Sequence, residues 1–207
     1  IKKLTLPEIQ NKLNIKLKNK KIILITYHPV TTEKSFNSKY FKDLLKVLSE
    51  FNEFQLIFTN PNCDAQNFEI RRLIRKFVSE NINSYVFDSL GSEIYLSLLN
   101  YCVLVMGNSS SGIVEVPEYR IPTLNIGNRQ KGRLHGNTVI NSSSKYIDIK
   151  KSLHKALSKE FQDFVSEKAE NPYASSKDSV SLITEKLHFL LNKKEFYQTK
   201  KFQDLNY

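Results

Sequence analysis

The sequence predicts an α/β fold, a Rossmann-like doubly wound parallel sheet with helices on both faces. Three observations support this prediction. Short apolar runs, of which KIILITY at 21–27 is typical, are unbroken in the manner of strands buried on both faces. Segments with helical periodicity alternate with these runs at spacings that fit right-handed βαβ crossovers. Polar or glycine-containing loops follow five of the runs, at the edge where such sheets bind ligands.

The first half of the chain opens with a short helical pattern and then alternates apolar runs with amphipathic segments. The segment 38–51, for example, places Phe41, Leu45 and Leu48 on one helical face, as a helix packed on a sheet requires. In chain order the predicted elements are helix 5–15, strand 21–27, helix 38–51, strand 54–58, helix 67–81 and strand 84–88.

The second half continues the same alternation. CVLVMG at 102–107 is a further unbroken apolar run, and the short helix after it is predicted to end near Pro117 because proline interrupts helices. The predicted elements are helix 92–101, strand 102–107, helix 110–119, strand 122–127, strand 138–141, helix 147–158 and an amphipathic helix 178–194.

The charge of the chain favours a solvated surface over a nucleic-acid interface. The formal net charge is +10, and the excess is mostly lysine spread over both ends and the helix faces. Arginine, which reads bases and phosphates better than lysine does, occurs at six positions. We therefore predict no nucleic-acid partner, while a local anionic ligand remains compatible with the charge.

Several other classes of protein are disfavoured by composition. No apolar run approaches the roughly 18 residues of a membrane span, and the N-terminal residues lack the apolar core of a signal peptide. These features predict cytoplasmic residence and no membrane partner. Cys63 and Cys102 are too far apart for a CxxC motif, and Asp64 and Asp88 are isolated. We predict no metal and no cofactor.

The stretch GNSSSG at 107–112 admits three chemistries. A nucleophile elbow needs a glycine two residues to either side of the serine, and none of the three serines has that frame. The glycine spacing fits a P-loop, but isoleucine and valine stand where lysine and a hydroxyl residue must follow. Anion binding remains, because small residues and serine hydroxyls at a helix N-terminus suit a phosphate. A well-capped turn is the alternative left open.

Two titratable residues lie near this predicted site. Glu115, one turn beyond the serines, could accept hydrogen bonds from both hydroxyls of a ribose, or could be a surface carboxylate that the helix dipole favours. His28 follows the first strand and precedes Pro29, at the predicted ligand edge. A histidine in this place is either structural or functional.

These motifs together resemble one family. GNSSSGIVEVPEYRIPTLNIGNRQKGR (107–133), TYHPVT (26–31), PNCDA (61–65), NPYASS (171–176) and the ending KKEFYQTKKF are similar to the C-terminal half of the hydrolysing UDP-N-acetylglucosamine 2-epimerases. The resemblance implies the C-terminal half of a GT-B architecture. It divides the chain into an interdomain connection (1–15), a Rossmann-like nucleotide-binding domain (16–170), and a crossing helix with its tail (171–207).

The resemblance also assigns roles to individual residues. His28 would face the diphosphate and sugar as the catalytic group of this half. The substrate-binding residues would be Asn62 beside the sugar, Leu90 along the base, Ser109 and Ser110 at the phosphates, Glu115 at the ribose and Arg129 at a phosphate.

The implied reaction converts UDP-N-acetylglucosamine to N-acetylmannosamine and UDP, in sialic acid biosynthesis. It would need carboxylates from an N-terminal domain beyond these 207 residues, so that these residues alone would bind UDP or a UDP-sugar without turnover. The resemblance further implies a homo-oligomer in the full-length enzyme. Two alternatives are the donor-binding domain of a GT-B glycosyltransferase and a non-catalytic nucleotide-binding module.

Overall fold

The computed structural model describes residues 3–18, 20–30, 37–63, 67–174 and 178–193. It divides into two compact units, Ile1–Pro172 and Tyr173–Tyr207. Residues 194–207, which include the predicted terminal tail, lie outside the described residues.

The described residues of the first unit form a six-stranded parallel sheet in the order β3-β2-β1-β4-β5-β6. This order reverses between β1 and β4, as in a doubly wound sheet with a ligand crevice at the switch point. The predicted fold is therefore confirmed. The strands are β1 (Ile22–Thr26), β2 (Gln55–Thr59), β3 (Ser84–Phe87), β4 (Cys102–Gly107), β5 (Thr123–Ile126) and β6 (Val139–Ser142).

Helices connect the strands and cover the sheet. Those of the first unit are α1 (Leu6–Leu13), α2 (Asn37–Leu48), α3 (Asn67–Glu80), α4 (Gly91–Leu99), α5 (Ser111–Val114), α6 (Tyr146–Leu157) and α7 (Lys159–Lys168), with a 3₁₀ helix at Val116–Tyr119.

The hydrophobic core lies on both faces of the sheet. Successive side chains of β1 point to opposite faces, so Ile23 and Ile25 pack with α2, α3 and α6, while Ile22 and Leu24 pack with residues of α1 and α4. All four side chains are buried. This burial on both faces explains why the strands appear in the sequence as continuous apolar runs.

Several predicted helices run past the C-terminal ends of the observed ones, and for two of them the structure gives a local reason. Helix α2 stops at Leu48 rather than at Phe51, and the Ser49 hydroxyl donates to the Lys46 carbonyl at 2.8 Å. Such a local side-chain bond competes with continued helix. The segment 110–119 passes from α5 into the 3₁₀ helix, and Pro117 stands in the first turn of the latter, where its missing N–H costs nothing.

Helix α1 packs on the sheet through a fully buried Ile9 and begins with a capping box. The Thr5 N–H donates to the Glu8 carboxylate at 2.7 Å, and the Thr5 hydroxyl lies 3.5 Å from the Glu8 N–H. Both residues thus satisfy backbone groups that the first turn would leave unpaired.

We expect Thr5→Ala to lower the free energy of unfolding by about 1 kcal/mol, because the cap is lost. Chemical denaturation of the 207-residue chain measures this change. Asn11→Ala, on the exposed side of the same helix, serves as the control and should change stability by less than about 0.5 kcal/mol. Equal effects of the two substitutions would contradict the capping role.

The second unit contains α8 (Ser179–Leu191). The Asp178 carboxylate accepts hydrogen bonds from the Ser181 hydroxyl and from the N–H groups of Ser181 and Val180. These three bonds lower the pKa of Asp178. None of the helix residues is buried. No helix in the described part of the chain is long and apolar enough to cross a membrane.

Candidate functional site

A cavity of about 580 Å³ opens at the carboxyl edge of the sheet. This volume lies within the range that small-molecule sites usually have. The residues around it come from the ends of β1 and β2, the loops after β1, β2, β3 and β4, the first turns of α3 and α4, and the end of α5. Five of the residues predicted from the sequence line it together: His28, Asn62, Leu90, Ser109 and Glu115.

Two predicted residues do not line this cavity. Ser110 is the N-cap residue of α5 and makes no side-chain capping bond. Arg129 lies in the loop after β5, and its guanidinium donates to the Asn108 carbonyl at 3.2 Å. Their predicted contacts with phosphate stay predictions.

The turn between β4 and α5 leaves backbone donors available. The carbonyls of Ser109 and Ser110 accept bonds from the N–H groups of Gly112 and Ile113 in the usual helical direction. Within the described part of the chain, no hydrogen bond takes up the N–H of Ser109 or Ser110. Unpaired N–H groups of this kind can bind an anion.

The two glycines of this stretch are required by packing. Gly107 has φ +133°, and a Cβ there would stand 2.0 Å from the Thr26 carbonyl oxygen on β1. A Cβ on Gly112 would stand 2.8 Å from Cγ2 of Thr123 on β5. The glycines let β4 and α5 fit closely between neighbouring strands. Packing therefore explains the two glycines without a ligand, whereas it does not explain the unpaired N–H groups of Ser109 and Ser110 within the described part of the chain.

A tyrosine that the sequence analysis did not single out also lines the cavity. The Tyr95 hydroxyl on α4 is 2.5 Å from the Ser111 hydroxyl on α5. Burial raises the pKa of the Tyr95 phenol, and the bond with Ser111 opposes this shift. Tyr95 therefore remains a neutral hydroxyl that orients the start of α5.

The His28 ring is buried and held by its neighbour loop. The backbone N–H of Asn62 donates to His28 Nδ1 at 3.2 Å. Since Nδ1 accepts this bond, the neutral ring carries its proton on Nε2. His28 is thus arranged as a donor through Nε2.

Asn108 joins three of the loops at this edge. Its side chain is buried and pairs with both backbone groups of His28, at 2.7 Å and 2.8 Å. Its carbonyl accepts from Arg129 and also from the Gln130 amide at 2.8 Å. Asn108 follows β4 directly, so a signal existed: polar residues after neighbouring strands of a parallel sheet meet at one edge.

A polar network borders the cavity near β3. The Asp88 carboxylate accepts hydrogen bonds from the Asn60 amide at 2.7 Å and the Arg71 guanidinium at 2.6 Å, and these bonds lower the pKa of Asp88. Arg71 also donates to the Pro61 carbonyl at 3.0 Å. The network holds the loops after β2 and β3 together. Asp88 stands alone in the sequence because Asn60 and Arg71 are 28 and 17 residues away in the chain.

The described residues contain no group of three or more histidine, cysteine, aspartate or glutamate side chains that could hold a metal ion. The polar groups that line the cavity are hydroxyls, amides, a thiol, an imidazole, the Arg71 guanidinium and the carboxylates of Asp88 and Glu115. This set suits a polar organic ligand with hydroxyl and phosphate groups.

Comparison with known proteins gives one matching family model, described as UDP-N-acetylglucosamine 2-epimerase, over residues 2–188. Among curated relatives, the Campylobacter jejuni "GDP/UDP-N,N'-diacetylbacillosamine 2-epimerase (hydrolyzing)" is 39% identical over 156 residues, which are 75% of this chain and 40% of the relative. The Escherichia coli "Polysialic acid biosynthesis protein P7" is 30% identical over 202 residues, 95% of this chain and 51% of the relative.

Among solved structures, the S. aureus MnaA–UDP co-structure superposes with a TM-score of 0.68 at 15% sequence identity. The match covers 100% of this chain and 52% of that one. This likeness shows the fold. The chain spans about half the length, or less, of the relatives that it matches.

Proposed function

The chain belongs to the UDP-N-acetylglucosamine 2-epimerase family, and from this premise we propose that it is the nucleotide-sugar-binding domain of a hydrolysing 2-epimerase. The observation that carries the proposal is the shared cavity. His28, Asn62 and Ser109 come from three separate loops, and with Glu115 at the end of α5 they line one space large enough for a nucleoside diphosphate. The words "2-epimerase (hydrolyzing)" in the name of the Campylobacter jejuni relative support the hydrolysing branch.

The turn after β4 suits the diphosphate. Among the described residues the N–H groups of Ser109 and Ser110 have no partner, so these groups and the serine hydroxyls can donate to phosphate oxygens. Arg129 stands in the next loop as a cation. Glu115 lies one turn further, with its carboxylate exposed at the cavity. A carboxylate there accepts bonds from both ribose hydroxyls while staying clear of the phosphates.

His28 would act at the junction of diphosphate and sugar. Its Nε2–H can donate to an oxygen of the departing diphosphate, since Nδ1 is engaged by Asn62. In the proposed reaction a base removes the proton at C2 of the sugar as UDP leaves, and water then adds to give free N-acetylmannosamine. This chain supplies leaving-group stabilisation through Ser109, Ser110 and His28.

The carboxylates that move the C2 proton would come from a second domain. The relatives are about twice as long as this chain, which supports a missing N-terminal half across the cleft. We accordingly propose that the 207-residue chain binds nucleotide and does not release UDP from a UDP-sugar. We also propose a cytoplasmic, homo-oligomeric full-length hydrolase with a role in sialic acid biosynthesis, as the name of the Escherichia coli relative suggests.

The base is the open part of the ligand. Leu90, at the start of α4, is buried and lines the cavity, where backbone groups of its turn can read uracil. The name of the Campylobacter jejuni relative includes both GDP and UDP, so guanine is the competing base.

Nucleotide binding tests the proposal. In a thermal-shift panel of UDP, GDP, ADP and CMP, we expect UDP to stabilise the chain most, by mass action on the folded state. If GDP stabilises the chain more than UDP does, the base of the ligand is guanine rather than uracil. If none of the four nucleotides stabilises it, the proposed site is overturned.

Cys63 reports where the nucleotide binds. It is exposed and lines the cavity, whereas Cys102 is buried, and burial raises the pKa of the Cys102 thiol well above its ordinary value. We expect a thiol reagent to modify Cys63 alone. Saturating UDP should slow that modification at least about fivefold, because the chains that have UDP bound are protected. Cys63→Ser is the control for reagent specificity. Unchanged reactivity with bound UDP would place the nucleotide elsewhere.

A further inference from the structure

We propose that Asn108 is the positioning residue of this site: its buried amide holds the backbone of His28, and its carbonyl holds Arg129 and Gln130. The inference rests on the proposed function for the identity of the ligand, but the geometry that carries it is independent of any ligand. None of the roles assigned from the sequence included this residue.

The side chain of Asn108 continues the β1–β4 ladder beyond its last pair. That ladder ends with Thr26 opposite Gly107, and the Asn108 N–H still donates to the Thr26 carbonyl at 3.1 Å. His28 lies two residues beyond Thr26, where both strands have ended and with them the backbone pairing between β1 and β4. The amide of Asn108 takes its place.

Both backbone groups of His28 are satisfied by this one amide. The His28 N–H donates to Asn108 Oδ1 at 2.7 Å, and Asn108 Nδ2 donates to the His28 carbonyl at 2.8 Å. A backbone N–H can only donate and a carbonyl can only accept, so the orientation of the amide is determined. Asn108 is 1% exposed, and water therefore does not compete for these bonds.

This pairing controls where the His28 ring stands. The ring has its own bond, from the Asn62 N–H to Nδ1, which selects the Nε2–H form. That bond forms only while the Cα of His28 stays in place opposite the loop after β2. Reacting groups must be held within about half an ångström of their productive geometry, so an anchor on the backbone of His28 matters to function.

The backbone carbonyl of Asn108 anchors a third loop. Arg129 Nη1 and Gln130 Nε2 both donate to it, and Gln130 is 5% exposed. Asn108 therefore holds both His28, the candidate acid, and Arg129, the candidate phosphate-binding cation. A displacement of Asn108 would shift both, and the phosphate donors Ser109 and Ser110 follow it directly in the chain.

The test replaces the amide by groups of the same shape. Asn108→Asp keeps the acceptor for the His28 N–H but sets a carboxylate oxygen against the His28 carbonyl, where Nδ2 had donated. Asn125→Asp is the matched control, because Asn125 is also buried at a strand end and its Nδ2 donates to Asn141 at 2.8 Å on the neighbouring strand.

Two readouts on the 207-residue chain are combined. Long-range ¹H–¹⁵N spectra of the histidine rings report the tautomer of His28, and calorimetry reports the Kd for UDP. In the wild type we expect His28 in the Nε2–H form. In N108D we expect mixed tautomers and a Kd at least tenfold higher, while N125D leaves the tautomer unchanged and the Kd within twofold.

The outcomes separate this inference from the proposed function. An unchanged His28 tautomer and Kd in folded N108D would overturn the positioning role. If N108D does not fold, hydrogen exchange of the wild-type amides decides the question. Slow exchange of the His28 N–H and of one Asn108 Nδ2 proton supports the positioning role of Asn108, and fast exchange of both refutes it. If the wild type fails to bind UDP, the proposed function fails, and the ring spectra still test Asn108.

Discussion

Replacing Gly107 by alanine is expected to lower the free energy of unfolding by about 3 kcal/mol or more, from left-handed strain together with overpacking. Gly107 has φ +133°, a backbone conformation that residues with a Cβ rarely adopt. The added methyl group would stand 2.0 Å from the oxygen and 2.7 Å from the carbon of the Thr26 carbonyl. That carbonyl belongs to the backbone of a central strand, which cannot move without disturbing the sheet.

A second glycine separates the two causes. Gly132 also has positive φ, at +82°, but a Cβ there would have no heavy atom within 4 Å. Gly132→Ala should therefore cost only the conformational strain, about 1 kcal/mol. Urea denaturation of the two variants and the wild type measures the difference. A similar small loss in both variants would show that the β1–β4 packing tolerates the methyl group, contrary to the geometry.

Replacing Glu115 by alanine is expected to raise the Kd for UDP by about ten- to a hundredfold, the cost of losing hydrogen bonds to a charged acceptor. Glu115 lines the cavity beside the turn between β4 and α5. Under the proposed function its carboxylate accepts hydrogen bonds from the ribose hydroxyls. The effect should be specific to the diol. Wild-type protein should prefer UDP over 2′-deoxy-UDP, and the variant should lose most of that preference. Isothermal titration calorimetry with both nucleotides gives the four affinities.

Glu118→Ala controls for the change in charge. Glu118 is exposed on the 3₁₀ helix three residues beyond Glu115, and it does not appear among the described residues that line the cavity. Both substitutions remove one negative charge near the turn between β4 and α5, but of these two residues only Glu115 lines the cavity. If both variants bind UDP alike, the assigned role of Glu115 is wrong.

Most of the fold could be predicted because buried strands and helices have recognisable patterns of apolar residues in the sequence. The run 102–107 was predicted with the bounds that the structure has, since β4 lies in the middle of the sheet and needs apolar side chains on both faces. Helix ends were less certain. The Ser49 side-chain bond and the passage from α5 into a 3₁₀ helix at Val116 depend on local hydrogen bonds that periodicity does not encode.

The candidate site was predicted in part, and the reason for the division is physical. The shared cavity of His28, Ser109 and Glu115 could be predicted because all three follow strands of a parallel sheet, whose carboxyl edge gathers the segments that carry them. The contacts that hold them could not be found in this way. Asn60 and Asp88 are 28 residues apart, and Asn108 and His28 are 80 residues apart, before folding joins them.

The sequence by itself determined the order of strands and helices along the chain, the sheet edge at which the polar loops gather and the family to which the chain belongs. Each depends on local pattern or on motifs that are continuous in the chain. Only the tertiary structure decided which groups face the cavity and which residues support them. It showed that the glycines of GNSSSG serve strand packing and that its asparagine holds His28. It also showed that, among the described residues, the N–H groups of Ser109 and Ser110 have no hydrogen-bond partner. A side chain's partners are set by contacts between distant segments, and those exist only once the sheet has formed.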